Sequence, residues 1–206
     1  INYALRFADT SLAPAAPDAT SFADAAGMQQ PAGKGIAPTI NSPQRAVEVL
    51  RFRVVDAGSG DRLPTILSRL VIRNPLPGIT AWNRVLGGAL LFADGSSVAT
   101  APTRIMADSM EFEFVIPQVF QADSSSVFFS LWIYLQANAK LDDHTRLVFR
   151  LNSSTDLQAS SFASSQFGAA GAIDISSQEF SVDVQADGLR FTSLPMNASV
   201  GKPFSL

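Results

Sequence analysis

Along the chain, apolar and polar residues alternate in short runs rather than in helical stripes. Leu50, Phe52 and Val54 alternate with Arg51 and Arg53, which predicts a half-buried strand with apolar groups on one face and guanidinium groups on the other. The cluster Asp56-Ala57-Gly58-Ser59-Gly60-Asp61 is turn chemistry, and the run from Pro64 to Ile72 resumes as a strand. Gly88 to Phe92 leads into Asp94-Gly95, the strongest short hairpin signal in the chain, with Ser97 to Thr100 as the returning partner. Glu111 to Ile116 alternates cleanly. Val127 to Leu135 is apolar at both parities, as expected of a central strand covered on both sides. Leu147 to Leu151 and Phe180 to Val184 continue the series, separated by the Ser/Ala/Gly-rich stretch from Asn152 to Ala172. Only Thr80 to Val85 offers helical spacing. About eight to ten short strands joined by turns predict an all-β fold, an antiparallel β-sandwich of immunoglobulin-like or jelly-roll-like type. Its predicted core contains Leu50, Phe52, Val54, Phe112, Phe114, Phe129, Leu131, Ile133, Phe149 and Val182. Residues 8–46 hold Ala, Pro, Ser, Gly and Asp without sustained periodicity and read as a long loop with room for one short strand.

Composition narrows the function. The 206 residues are 47% hydrophobic and 16% charged, enough apolar material for one core. A net charge of −3 provides no cationic footprint for nucleic acid or anionic lipid. The absence of Cys excludes disulfides, thiolate nucleophiles and Cys-bound metals, and His144 is the single histidine, so no His-rich metal site is expected. The longest apolar run, Val127 to Leu135, is too short to span a bilayer as a helix, and no membrane insertion is expected. Ile1 in place of an initiating Met, in an opening that does not read as a signal peptide, suggests cleavage of an upstream segment or excision from a larger protein.

A few constellations carry candidate chemistry. Glu111 and Glu113, at i and i+2 on one strand, project the same way about 6.5 to 7 Å apart, a separation compatible with glycoside hydrolysis, although a solvated outer face opposite Phe112 and Phe114 is the simpler explanation. Asp56, Ser59 and Asp61, and separately Asp142 with Asp143, are candidate oxygen ligands for calcium; the same residues are what turns prefer. Without a Gly-x-Ser-x-Gly elbow, a triad built on His144 and the neighbouring acids is not expected. Gly33-Lys34-Gly35 and Gly58-Ser59-Gly60 are too short for a phosphate loop. Trp132 and Tyr134 share one face of a strand predicted to be covered on both sides and are assigned to the core. Trp82, in a predicted loop, is the candidate sugar contact.

The words Ala46 to Asp56, Gly60-Asp61-Arg62-Leu63-Pro64-Thr65, Trp82 with Gly88 to Gly95, and Leu141-Asp142-Asp143 followed by Leu147-Val148-Phe149 resemble, in order and spacing, a repeat-type β-sandwich module of large secreted and cell-surface proteins of Bacteroidetes-type bacteria. The resemblance covers about residues 46 to 152. Arg62 stands where that family typically has Gly. It implies an extracellular β-rich repeat in a multi-domain protein, without defined enzymatic activity. The stretch from Gly188 to Phe204 resembles the opening strand of bacterial immunoglobulin-like repeats. The expected organisation is therefore a module over 1–186, followed by a linker or the first strand of a next module over 187–206, with the last strand of the same sandwich as the alternative. Such a terminal strand would allow self-association. The expected function is a structural or adhesion module in contact with neighbouring modules and with extracellular glycan or protein. A carbohydrate-binding module that targets a larger secreted enzyme to polysaccharide is the alternative, and a hydrolase built on Glu111 and Glu113 a formal rival. No cofactor is expected beyond the candidate calcium.

Overall fold

A computed structural model describes residues 21–57, 63–94, 100–119, 125–137, 141–161, 164–168 and 173–184, without the side chains of 115–119. Its regular structure is almost entirely strand. Five long strands carry the architecture: β3 (Val47–Asp56), β4 (Ile66–Arg73), β5 (Leu86–Ala93), β7 (Ser109–Val119) and β8 (Ser125–Leu135). Short strands complete it: β1 (Phe22–Asp24), β2 (Gly35–Ile36), β6 (Arg104–Ile105), β9 (Arg146–Leu147), β10 (Arg150–Asn152), β11 (Leu157–Ala159), β12 (Asp174–Ser176) and β13 (Phe180–Val182). The additional strands beyond those expected are pieces of two or three residues.

The strands form a four-stranded sheet in the order β1-β3-β8-β5 and a larger sheet in the order β12-β10-β4-β7-β6, with β11 also on β4. A small third sheet, β2-β13-β9, contains a parallel pairing between β13 and β2; the pairings of the two larger sheets are antiparallel. Nearly all of their buried apolar residues belong to one cluster, which makes the fold sandwich-like. Phe52 and Val54 of β3, Leu131 and Ile133 of β8 and Leu91 of β5 come from the first sheet; Leu67, Leu70 and Ile72 of β4 and Phe112 of β7 come from the second. All ten residues predicted for the core are buried. Phe52 stacks on its cross-strand partner Phe129 with ring centroids 5.2 Å apart. The expected hairpin return is met where it can be compared, since Thr100 and Leu91 exchange backbone hydrogen bonds of 2.8 Å; residues 95–99 lie outside the described residues.

Three expectations are corrected. First, β8 is central but buried on one face alone: Phe129, Leu131, Ile133 and Leu135 point inward, whereas Trp132 and Tyr134 are half-buried and Phe128 is 41% exposed. Its neighbour β3 has Arg51 and Arg53 on that same outward face, so the sheet turns an aromatic surface away from the core. Second, Leu147 to Leu151 is not one strand. It divides into β9 and β10 in different sheets, and Phe149 between them plugs the core, its amide donating to Ser177 Oγ at 3.0 Å. Third, Trp82 is fully buried.

The helical spacing at Thr80 to Val85 becomes the single-turn α1 (Trp82–Val85), and α1 places Trp82 inside. Asn74 causes this placement. Its amide donates to the carbonyls of Thr80 at 2.6 Å and Ala107 at 3.0 Å, its side-chain oxygen accepts from Leu76 N–H, and its own backbone N–H reaches Asp108. The loop is thus drawn against residues 107 and 108, and the Trp82 ring meets Phe149 at 4.8 Å. Residues 8–46 were expected to be mostly loop; the described part holds both β1 and β2. Gly33 has a steric reason to be glycine, because a Cβ there would lie 2.1 Å from the Glu179 carbonyl oxygen. The segment 187–206 lies outside the described residues.

Candidate binding face

The outward face of the four-stranded sheet is built by strand alternation. On β8, Phe128, Ser130, Trp132 and Tyr134 follow one another at i, i+2 spacing, while their neighbours enter the core. Register sets the rows across the sheet. Glu48 of β3, Trp132 and Leu90 of β5 form one row; Arg51, Ser130 and Phe92 form the next; Arg53 and Phe128 form a third, continued by Asp94, whose N–H donates to the Phe128 carbonyl at 2.7 Å. Bulges at Glu48/Leu50 and Leu86/Gly88 adjust this register. Tyr134 lies across Gly88, where a Cβ would be 2.2 Å from the phenol oxygen, so Gly88 is what lets this ring lie down on the sheet.

Phe92 meets Trp132 edge to face with centroids 6.1 Å apart. The Trp132 indole N–H donates to Ser130 Oγ at 3.1 Å, so the ring runs along its own strand over the neighbouring small residue. Because Ser130 is small, the face dips between Phe128 and Trp132. The dip is a cleft of about 300 Å³ lined by Met28, Arg51, Phe92, Asp94, Phe128 and Ser130, together with Ala93 and Phe129.

Polar groups hold its rim. Gln30 performs the work of a strand beyond β1: its amide donates to the Arg51 carbonyl at 2.7 Å and its oxygen accepts from Arg51 N–H at 3.0 Å, fixing the loop that carries Met28. Arg51 makes a two-pronged bond to Glu48 at 2.6 Å for both prongs, and Arg53 does the same to Asp24 at 2.6 and 2.9 Å. Each carboxylate raises the pKa of its guanidinium partner through these bonds, so both arginines stay charged.

The outward face of the larger sheet is different. It is a lattice of ion pairs: Glu111 with Arg69 and Arg104, Arg73 with Asp156, Arg150 with Asp174. Arg73 and Arg150 stand directly opposite in register, a repulsive placement that their separate carboxylates offset.

The residues singled out from sequence fall in separate places. Glu111 is buried beneath Arg69 and Arg104, whose hydrogen bonds, Arg69 first, lower its pKa below the usual carboxylate range, while Glu113 is exposed. They share a parity, as expected, but Glu111 is engaged by two guanidinium groups and does not form a free carboxylate pair with Glu113. Asp56 is buried, its Oδ2 accepting from Thr65 N–H at 3.0 Å and Thr65 Oγ1 at 2.8 Å, with Thr65 Oγ1 in turn 2.6 Å from Ser21 Oγ. Asp61 and Ser59 lie outside the described residues. Asp142 and Asp143 open an exposed turn that His144 completes with φ of 59°. The Asp142 carbonyl accepts from Thr145, and Asp143 accepts from Val184 N–H at 2.9 Å, which lowers its pKa. His144 Nε2 lies 3.3 Å from Asp143 Oδ2. Among the described residues no group of three or more His, Cys, Asp or Glu gathers to hold a metal.

Trp82 is not the sugar contact expected of it, because its ring is core. Phe92, Phe128, Trp132 and Tyr134 are among the described aromatic residues that reach the surface. Sequence reading did not single out Phe92, and it placed Phe128, Trp132 and Tyr134 on a strand expected to be covered on both sides. The available signal was Ser130 in the middle of the apolar run, at the same parity as the outward Arg51 and Arg53 of the adjoining strand. Comparison with known protein families, with curated proteins and with solved structures finds no match.

Proposed function

We propose that this chain is a non-enzymatic contact module of an extracellular or cell-surface multi-domain protein, a structural or adhesion unit that works by holding a partner against the outer face of its four-stranded sheet. The aromatic row of Phe128, Trp132 and Tyr134, beside Phe92 and on the side of β8 away from the core, carries this reading. Phe128 is exposed and the rings of Phe92, Trp132 and Tyr134 are half-buried beside it; apolar surface left in water is unfavourable, and a contiguous patch of it marks an interaction site. The two-pronged arginine–carboxylate pairs at its edge stiffen the sheet without requiring a partner charge. The neighbouring modules and the extracellular setting rest on the family resemblance; the aromatic face supports contact independently of it.

The test is attachment. The chain, displayed on otherwise non-adherent cells, is expected to retain them under flow on surfaces coated with extracellular glycan or protein, and Phe128→Ser with Trp132→Ser is expected to release them. Retention equal with and without the displayed chain would overturn the proposal. Antibody access to intact native cells tests the location, and labelling only after lysis would contradict it.

A further inference from the structure

We propose that the cleft over Ser130 is a binding site for a segment of neutral polysaccharide; the inference rests on the contact reading above and gives it a ligand class. The chemistry of the lining selects the ligand. Phe92 and Phe128 present apolar ring surface on two sides of the cleft, and Met28 adds adaptable apolar surface from the loop. A sugar ring matches such walls, since its axial C–H bonds form an apolar face while its hydroxyls project from the edge. The floor and rim meet those hydroxyls. Ser130 Oγ already accepts from the Trp132 indole, and its own O–H has no acceptor among the described residues and can donate to a ligand. Asp94, just past β5, is exposed as an acceptor, and Arg51, on β3, is exposed as a donor.

Charge decides between neutral and anionic sugars. Arg51 is bound through both prongs to Glu48, and the cleft adds Asp94, so the lining offers no net positive charge to a uronate, sulfate or phosphate. Shape decides between chain end and chain interior. The cleft lies on an open sheet face rather than in an enclosed cavity, and its volume of about 300 Å³ is at the small end of ligand sites, so it grips a short stretch of a chain that continues beyond it. Phe92 also touches Trp132, which places a natural reporter next to the site, whereas the other tryptophan, Trp82, is sealed in the core.

The experiment titrates the chain with soluble mixed-linkage β-glucan, xyloglucan, galactomannan and α-glucan, and with polygalacturonate as the anionic comparison, following tryptophan fluorescence and mobility in polysaccharide-containing gels. The expected result is binding to at least one neutral polymer, a fluorescence change abolished by Trp132→Phe, and affinity that holds between low and high salt. Phe92→Ala and Ser130→Leu, which fills the floor without removing a ring, should each weaken binding about tenfold or more, with Phe128→Ser as a variant at an already exposed position. Circular dichroism and melting of each variant establish that it is folded. Absence of binding to every neutral polymer by the folded chain overturns the inference, as does salt-sensitive binding to polygalacturonate alone or binding untouched by all three variants. If attachment to a protein-coated surface is lost in Phe128→Ser while no polysaccharide binds, the sugar assignment fails and the contact face stands. If attachment is also indifferent to the face, both fail.

Discussion

The pairing of Phe52 with Phe129 tests the register on which the whole outer face depends. These rings stack at 5.2 Å and 13° across the β3–β8 ladder, and both are buried. Truncating either to Ala would cost about 3 to 5 kcal/mol, a large part of the roughly 5 to 15 kcal/mol that holds a domain folded, so the gentler Phe→Leu change is preferable. Each single Phe→Leu variant should lose about 1 to 2 kcal/mol, and the double variant should lose less than the sum. The shortfall is the ring–ring coupling, expected at about 0.5 to 1.5 kcal/mol for a stacked pair. Urea unfolding followed by tryptophan fluorescence measures it, with a common slope across the four proteins required for the cycle to be valid. A coupling below about 0.3 kcal/mol would mean that the rings do not touch. A one-residue slip of β3 against β8 would produce that outcome by setting Phe52 against Phe128 or Ser130, and it would turn Trp132 and Tyr134 inward.

Further outcomes follow from other parts of the molecule. Trp82→Ala should cost about 3 to 5 kcal/mol in the same urea assay, whereas Trp82→Phe should cost less than about 1.5 kcal/mol, because the buried indole N–H finds no partner among the described residues and nothing is lost with it. Glu111 has its pKa lowered by folding, so its ion pairs stabilise the fold above the unfolded carboxyl value of about 4.3 and cease to do so as pH falls through the lower folded value; Glu111→Gln should flatten the stability profile between pH 5 and pH 3, and an unchanged slope would contradict the pairing of buried Glu111 with the more exposed Arg69 and Arg104. Gly33→Ala should lower the melting temperature, since its Cβ would strike backbone rather than a movable side chain, and an unchanged transition would show that the segment beside Glu179 is free to shift. Sedimentation of the chain with and without 187–206 tests self-association through that segment: the shorter chain is expected to be monomeric and the longer one to associate, and two equally stable monomers would refute it.

The sequence by itself determined the class of fold and the inward face of its strands. Alternation of Leu50, Phe52 and Val54 with Arg51 and Arg53 permits one orientation, since guanidinium groups cannot enter an apolar core unpaired, and those three core predictions hold for that reason. It left β8 undetermined, because Val127 to Leu135 is apolar at both parities and alternation has no polar face to display. Only the tertiary structure decided which aromatics went outside: pairing to β3 places Trp132 and Tyr134 on the arginine side, where Gly88 makes room for one and Phe92 abuts the other. It likewise decided that Trp82, in a segment with the local chemistry of a loop, is core, through Asn74 holding residue 80 to residue 107. Local patterning records what a side chain prefers. Which of two apolar faces is covered depends on contacts between residues far apart in the chain, and those exist only once the sheets have met.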